Sequence, residues 1–312
     1  MKVHPCDYHT RMIETAFNSF TRFDIDVNGV RIHGVRSAAT PESRARPPLL
    51  LLHGYPQSHL IWHKVAGTLA ERYAVIATDL RGYGESSKPA RLPDHANYSK
   101  REMARDQVEL MRALGFDAFF VCGHDRGGRV AHRMALDYPE VVKKLVVLDI
   151  SPTLTMYEET SMDFALGYWW WFFLVQPAPF PETLISASPE AYLASKLTSG
   201  LAGRTPFTDE TYAAYLGYMR DLGTVHSMCE DYRAAASIDL VHDRADREAG
   251  KKIVCPLYVL WGEYAIVHRC FAPLQDWRKF ATTVSGQSVA SGHYIPEEIP
   301  NVLISELITF LG

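Results

Sequence analysis

Across residues 21–35, TRFDIDVNGVRIHGV, apolar and polar positions alternate on either side of Asn28-Gly29, a dipeptide that tolerates positive φ in a tight turn. The chain is therefore predicted to open with a β-hairpin. Beyond a polar, proline-containing link, short apolar runs recur at residues 49–52, 74–77, 119–121 and 145–148. They read as strands buried on both faces. Segments with helical spacing of apolar residues separate most of them, at 59–72, 99–114 and 126–138, and Gly115 follows the second where a helix stop is expected. Such alternation predicts an α/β fold, a mostly parallel central sheet flanked by helices. It breaks at Pro152 and resumes only with the apolar run 257–260, after a stretch rich in Trp, Tyr, Phe and Pro. Residues 152–250 are read as an inserted helical cap domain, and 1–151 with 251–312 as the core domain.

The length of 312 residues, 47% of them hydrophobic and 22% charged, suffices for one large core plus such an insertion. A formal charge of −4 leaves no basic footprint for phosphate backbones, which argues against a nucleic-acid partner and makes any anion site a local one. Cys6, Cys122, Cys229, Cys255 and Cys270 are odd in number and scattered without CxxC spacing. Neither a disulfide framework nor a zinc site is expected, and a cytoplasmic location is. Residues 1–10 lack the apolar segment of an export signal, and the apolar and aromatic run 168–175 is too short to span a bilayer, so no membrane association is predicted.

The candidate chemistry begins at residues 119–128, FFVCGHDRGG, an apolar strand that runs into Gly123-x-Asp125-x-Gly127 and then a helix. This is the form of a nucleophile elbow, in which small flanking residues permit a sharp bend that presents one side chain at a helix N-terminus. Here that side chain is the Asp125 carboxylate. The strand before Leu52-His53-Gly54-Tyr55-Pro56 would lie beside it, so the amides of Tyr55 and Arg126 could form paired donors for an oxyanion. His293, in Ser291-Gly292-His293-Tyr294 ahead of the last helix, stands last in chain order, where this architecture keeps its general base. Two acids compete for the place behind it: Asp149, after 145–148, and Glu263, after 257–262. Both follow a strand's carboxyl end.

These motifs resemble the α/β-hydrolase superfamily, and within it the fluoroacetate or haloacetate dehalogenases. The resemblance spans residues 20–312 and rests on His53-Gly54-Tyr55-Pro56, Asp79-Leu80-Arg81-Gly82-Tyr83-Gly84-Glu85-Ser86, Gly123-His124-Asp125-Arg126-Gly127-Gly128-Arg129, Cys229-Glu230-Asp231-Tyr232-Arg233 and Gly292-His293. Related epoxide hydrolases and haloalkane dehalogenases carry a tryptophan directly after the nucleophile, where this chain has Arg126. The resemblance implies Asp125 as nucleophile, His293 as base, Asp149 as its acid, and Arg126 and Arg129 as the binders of a haloacetate carboxylate. Two guanidinium groups in the first turn of a helix are electrostatically disfavoured, and a bound substrate carboxylate would supply the missing anion.

For the leaving halide the family uses a His-Trp pair and a tyrosine, which map onto Trp170, Trp171 and Tyr232. Trp170 thus replaces the family's histidine, which is expected to reshape a pocket sized for fluoride. The expected reaction is hydrolysis of a small anionic 2-halocarboxylate to the 2-hydroxy acid and halide, without cofactor or metal. Two alternatives stand beside it: an epoxide hydrolase, with Tyr168, Tyr212, Tyr215 or Tyr218 as proton donors, and a non-catalytic small-carboxylate receptor. A homodimer is left open.

Overall fold

The alternating segment pairs antiparallel as β1 (Phe20–Val27) and β2 (Val30–Ser37), turning through Asn28 at φ 47 and Gly29 at φ 73. A computed structural model of the protein describes residues 17–38, 40, 45–199 and 206–312. Cys6 and the reading of residues 1–10 therefore lie outside the described residues. The predicted apolar runs form β3 (Pro48–Leu52), β4 (Ala74–Thr78), β5 (Phe119–His124), β6 (Val142–Leu148) and β7 (Leu257–Gly262). A further strand, β8 (Val284–Val289), completes an eight-stranded sheet in the order β1-β2-β4-β3-β5-β6-β7-β8. From β4 to β8 every pairing is parallel, so the carboxyl ends of β3, β5, β6 and β7 face one way.

Helices Lys100–Ala113 and Arg126–Asp137 match their predicted spans; Ser99 caps the first by accepting from Glu102 N–H, and Gly115 at φ 89 ends it. The segment 59–72 departs from prediction. It forms a 3-10 turn, His59–Trp62, and a short α-turn, Ala66–Leu69. His59, Leu60, Ile61 and Trp62 are all buried, and the Asp79 carboxylate holds the His59 amide at 2.7 Å, so tertiary contacts override the helical spacing.

Between β6 and β7 the described chain carries helices, from Thr153–Glu158 to Ile238–Glu248, and no strand. Tyr192 and Lys196 tie this insertion to the sheet's loops: Tyr55 and Tyr192 share a hydroxyl bond of 2.7 Å, and Tyr294 donates to the Lys196 carbonyl at 2.9 Å. Cys122, Cys229, Cys255 and Cys270 are free thiols. No helix among the described residues is long and apolar enough to cross a membrane.

Candidate active site

The bend after β5 is set by close backbone approach. A Cβ on Gly123 would lie 2.5 Å from the Gly127 carbonyl oxygen, and one on Gly127 would lie 2.4 Å from that of Leu52, so only glycine lets the strand turn into helix Arg126–Asp137 against β3. Asp125 occupies the apex at φ 44 and ψ −111, a conformation costing on the order of 1–3 kcal/mol that surrounding packing must sustain. Its Oδ2 accepts the Tyr55 amide at 3.0 Å. The Arg126 amide has no acceptor among the described residues. Burial alone would raise the Asp125 pKa, but His293, Arg129 and Arg126 hold it below the usual carboxylate range.

From the loop after β8, His293 Nδ1 reaches Asp149 Oδ2 at 2.6 Å, and Tyr168 Oη lies 3.2 Å from the same nitrogen. Asp149 follows β6 at φ 51 and accepts the Gly262 amide on its other oxygen at 3.0 Å. Glu263 points elsewhere: it is exposed and accepts from Ser288 at 3.2 Å. Burial lowers the His293 pKa, but the hydrogen bond to Asp149 and the charges of Asp149 and Asp125 raise it above the ordinary imidazole value. His124, next to the apex, donates from Nε2 to the His293 carbonyl at 2.9 Å and stays neutral, its pKa pulled to about 3 chiefly by burial.

Arg126 and Arg129 are both buried, and each guanidinium lies over an aromatic face: Arg126 is 4.2 Å from the Tyr232 ring centroid and Arg129 is 4.6 Å from that of Trp171. The expectation that only an external carboxylate compensates the pair needs correction for Arg126. Asp231, to which the sequence assigns no role, accepts its Nε at 2.9 Å and its Nη2 at 2.6 Å. That pairing spans 105 positions of sequence, so no local pattern could have signalled it. Arg129 donates from Nη1 to the Ser151 carbonyl at 3.2 Å and to Thr153 Oγ1 at 3.0 Å, and its Nε lies 4.0 Å from Asp125 Oδ1. Three buried polar atoms here have no hydrogen-bond partner among the described residues: Arg126 Nη1, Arg129 Nε and Tyr232 Oη. Buried donors without acceptors are uncommon and call for a specific explanation.

Trp171 and Tyr232 thus stand with the two arginines, their ring centroids 6.2 Å apart. Trp170 packs instead on Tyr168 at 4.5 Å, with the Lys196 Nζ 3.2 Å from its ring centroid. Of the four tyrosines weighed as proton donors, Tyr168 touches His293. The Tyr215 hydroxyl donates to Glu297 at 3.1 Å, and that of Tyr218 engages Ser58 and Glu85.

Below the site, His53 accepts the Leu80 amide on Nε2 at 3.0 Å and donates from Nδ1 to the Gly54 carbonyl at 2.8 Å, which fixes its tautomer and the loop bearing Tyr55. Among the described residues His33, His59 and Asp79 form one group of metal-ligating types, with ligand atoms within 4.8 Å of one another. Asp79 already accepts the His59 ring at 2.8 Å and the His59 and Glu85 amides at 2.7 and 2.9 Å, a network that anchors loops.

An elbow that presents a carboxylate, with a His–Asp pair beside it on the carboxyl edge of this sheet, defines the α/β hydrolases that use an aspartate in place of serine. Residues 47–264 match the model of the alpha/beta hydrolase fold family, and residues 3–62 that of the epoxide hydrolase N terminus. The chain is 43% identical to a fluoroacetate dehalogenase from Burkholderia sp over 95% of both chains. It is 33% identical to a soluble epoxide hydrolase from Corynebacterium sp. (strain C12), over 92% of this chain and 95% of that one. It also resembles the crystal structure of an α/β hydrolase from Nostoc sp PCC 7120, with TM-score 0.90 and 49% identity, covering 95% of this chain and 99% of that one. The chain belongs to the α/β-hydrolase superfamily and, within it, to the fluoroacetate dehalogenase family.

Proposed function

We propose that this protein hydrolyses a small 2-halocarboxylate to the 2-hydroxy acid through an ester on Asp125. The observation that carries this reading is a pair of buried donors without a hydrogen-bond partner, Arg129 Nε, 4.0 Å from Asp125 Oδ1, and Nη1 of Arg126, whose charge also acts on Asp125. A substrate carboxylate satisfies both and orients the halogen-bearing carbon toward Asp125. Asp125 attacks that carbon in line as the carbon–halogen bond breaks and the electron pair leaves with the halide. Trp171 and Tyr232, which stand with the arginines, are assigned to the halide side of the pocket, Tyr232 through its unpartnered hydroxyl, and Trp170, packed on Tyr168 beside His293, to the wall adjoining it. The helical insertion acts as the cap that keeps water from competing.

His293 then takes a proton from water, which attacks the ester carbonyl carbon of Asp125. Asp149 holds the imidazole in the tautomer with a free Nε2 and stabilises the imidazolium. The amides of Tyr55 and Arg126 receive the tetrahedral oxyanion. Collapse breaks the acyl–oxygen bond, His293 protonates the departing oxygen, and the Asp125 carboxyl loses its proton to solvent. The balance is one water consumed, with one halide and one proton released. Neither step calls on a metal or a cofactor. Reduced thiols suit a cytoplasmic setting.

Side-by-side rates on chloroacetate, fluoroacetate and styrene oxide test this reading, with Asp125→Asn as the control variant. Halide release from chloroacetate is expected to exceed opening of the epoxide. Trp170→His is expected to raise the fluoroacetate-to-chloroacetate ratio of kcat/KM by about tenfold, the scale on which one pocket contact discriminates substrates. Epoxide opening without halide release would replace the proposal with an epoxide hydrolase.

A further inference from the structure

We propose that Asp231 is a positioning residue that presents Arg126 to the substrate by one edge only, so that the carboxylate is gripped by one nitrogen from each arginine rather than by a two-pronged fork. The inference rests on the dehalogenase reading above and assigns a role to a residue on the cap helix Leu222–Ala235.

Its geometry leaves Arg126 a single orientation. Asp231 Oδ2 accepts Nε at 2.9 Å, Oδ1 accepts Nη2 at 2.6 Å, and the Asp231 backbone carbonyl accepts Nη2 again at 3.0 Å. Nη1 alone is left without a partner among the described residues. The carboxylate that does this is itself held from two further directions. Tyr83 Oη donates to Oδ2 at 2.6 Å, and Lys100 Nζ donates to Oδ1. Tyr83, in the loop after β4, and Lys100, at the start of helix Lys100–Ala113, belong to the core, so Asp231 can fix Arg126 only while the cap is seated on the sheet.

Charge separates the two arginines as well. Lys100 also faces Asp239 at 3.6 Å, so Arg126 and Lys100 are balanced by Asp231 and Asp239 within one buried cluster. Among the described residues, Arg129 has one carboxylate beside it, Asp125 at 4.0 Å, whose charge His293 also shares. Arg126 therefore contributes direction to carboxylate binding and Arg129 contributes most of the uncompensated charge. A buried ion pair of this kind specifies a geometry more than it adds stability.

The test is Asp231→Asn, assayed on chloroacetate and on the uncharged chloroacetamide. The new amide group would face the arginine donors with N–H of its own and turn the guanidinium. KM for chloroacetate is expected to rise by about tenfold or more, with kcat/KM for chloroacetamide nearly unchanged. In an Arg126→Leu background, Asp231→Asn should add no further rise in KM. Equal losses on both substrates, or an undiminished effect in that background, would overturn the role and leave Asp231 as a fold-stabilising residue. If Asp231→Asn does not fold, Tyr83→Phe keeps the charge but removes one donor to Oδ2. It should move the chloroacetate-to-chloroacetamide ratio in the same direction by less, and an unchanged ratio overturns the proposal. Wild-type protein run alongside separates the two ideas, since failure to turn over chloroacetate at all sinks the dehalogenase reading itself.

Discussion

His293 Nδ1 meets Asp149 Oδ2 at 2.6 Å across 144 positions of sequence, while Asp149 Oδ1 accepts the Gly262 amide at 3.0 Å. Both carboxylate oxygens are thus committed, one to the ring and one to the end of β7. Asparagine tolerates the φ of 51 that Asp149 adopts and can keep the Gly262 bond through its carbonyl. Its amide nitrogen would then face Nδ1 as a donor and force the proton onto Nε2, where the base must be free. Asp149→Asn is expected to lower turnover by on the order of 10⁴-fold with an unchanged thermal midpoint. Turnover within tenfold of wild type would remove Asp149 from the mechanism.

The pH dependence separates the two chemical steps. Burial lowers the His293 pKa, yet Asp149 and Asp125 raise it above 6.5; burial raises Asp125, yet His293, Arg129 and Arg126 hold it below 3.8. As pH falls, His293 gains its proton while Asp125 is still ionised. Halide release needs only the ionised carboxylate, whereas ester hydrolysis needs the neutral imidazole. Quenched-flow measurements from about pH 8 down to about pH 5 should show steady turnover failing while the first-turnover halide burst persists. Esterification also removes the Asp125 charge, so the turnover midpoint should lie below that of His293 titrated by NMR in the free enzyme. A burst that vanishes together with turnover would assign both steps to one group.

Much of this site could be read from local pattern, and the rest required the fold. The Gly123-x-Asp125-x-Gly127 turn was legible because its glycines answer to contacts with adjacent backbone, which few other residue types survive. Local pattern left Asp149 and Glu263 open, since both follow strands, and it was the family resemblance that implied Asp149; in the structure Asp149 is the one that meets His293. β8 carries little sequence signal because VSGQSV lies at the sheet edge with alternate positions exposed, and its Gly286 weakens any strand pattern. Asp231 was hidden for a different reason. Its partner Arg126 lies on the helix after β5 while Asp231 lies on a helix between β6 and β7, and spacing along the chain carries no information about such a contact.

Arg129 offers a test of anion recognition that leaves the nucleophile intact. Its Nη1 is anchored to Ser151 and Thr153 and its Nη2 donates to Met156 Sδ at 3.2 Å, so its Nε is the donor left for a substrate carboxylate. Arg129→Leu is expected to reduce kcat/KM for chloroacetate by on the order of 10²–10³, the cost of a lost charged contact, and for chloroacetamide by less than about tenfold. Comparable losses on the two substrates would show that Arg129 supports the pocket and does not recognise charge.

The route of oxygen decides whether Asp125 is nucleophile or base. If Asp125 forms an ester that water cleaves at the acyl carbon, the new hydroxyl of the product is an old carboxylate oxygen, and water replaces it in the protein. In a single turnover in ¹⁸O-water with enzyme in excess, the 2-hydroxy acid should carry ordinary oxygen. The peptide containing Asp125 should be heavier by one isotope substitution. Later turnovers should pass the label on to product. His293→Gln adds an independent check, because it leaves the first step intact and removes the base for the second. That variant should release one equivalent of halide per active site and hold the ester, visible by mass spectrometry as an adduct on the Asp125 peptide. A first-turnover product already carrying ¹⁸O, with an unlabelled Asp125 peptide and no adduct in His293→Gln, would mean that Asp125 activates water for direct displacement. The covalent mechanism would then be wrong, even though the same residues surround the substrate.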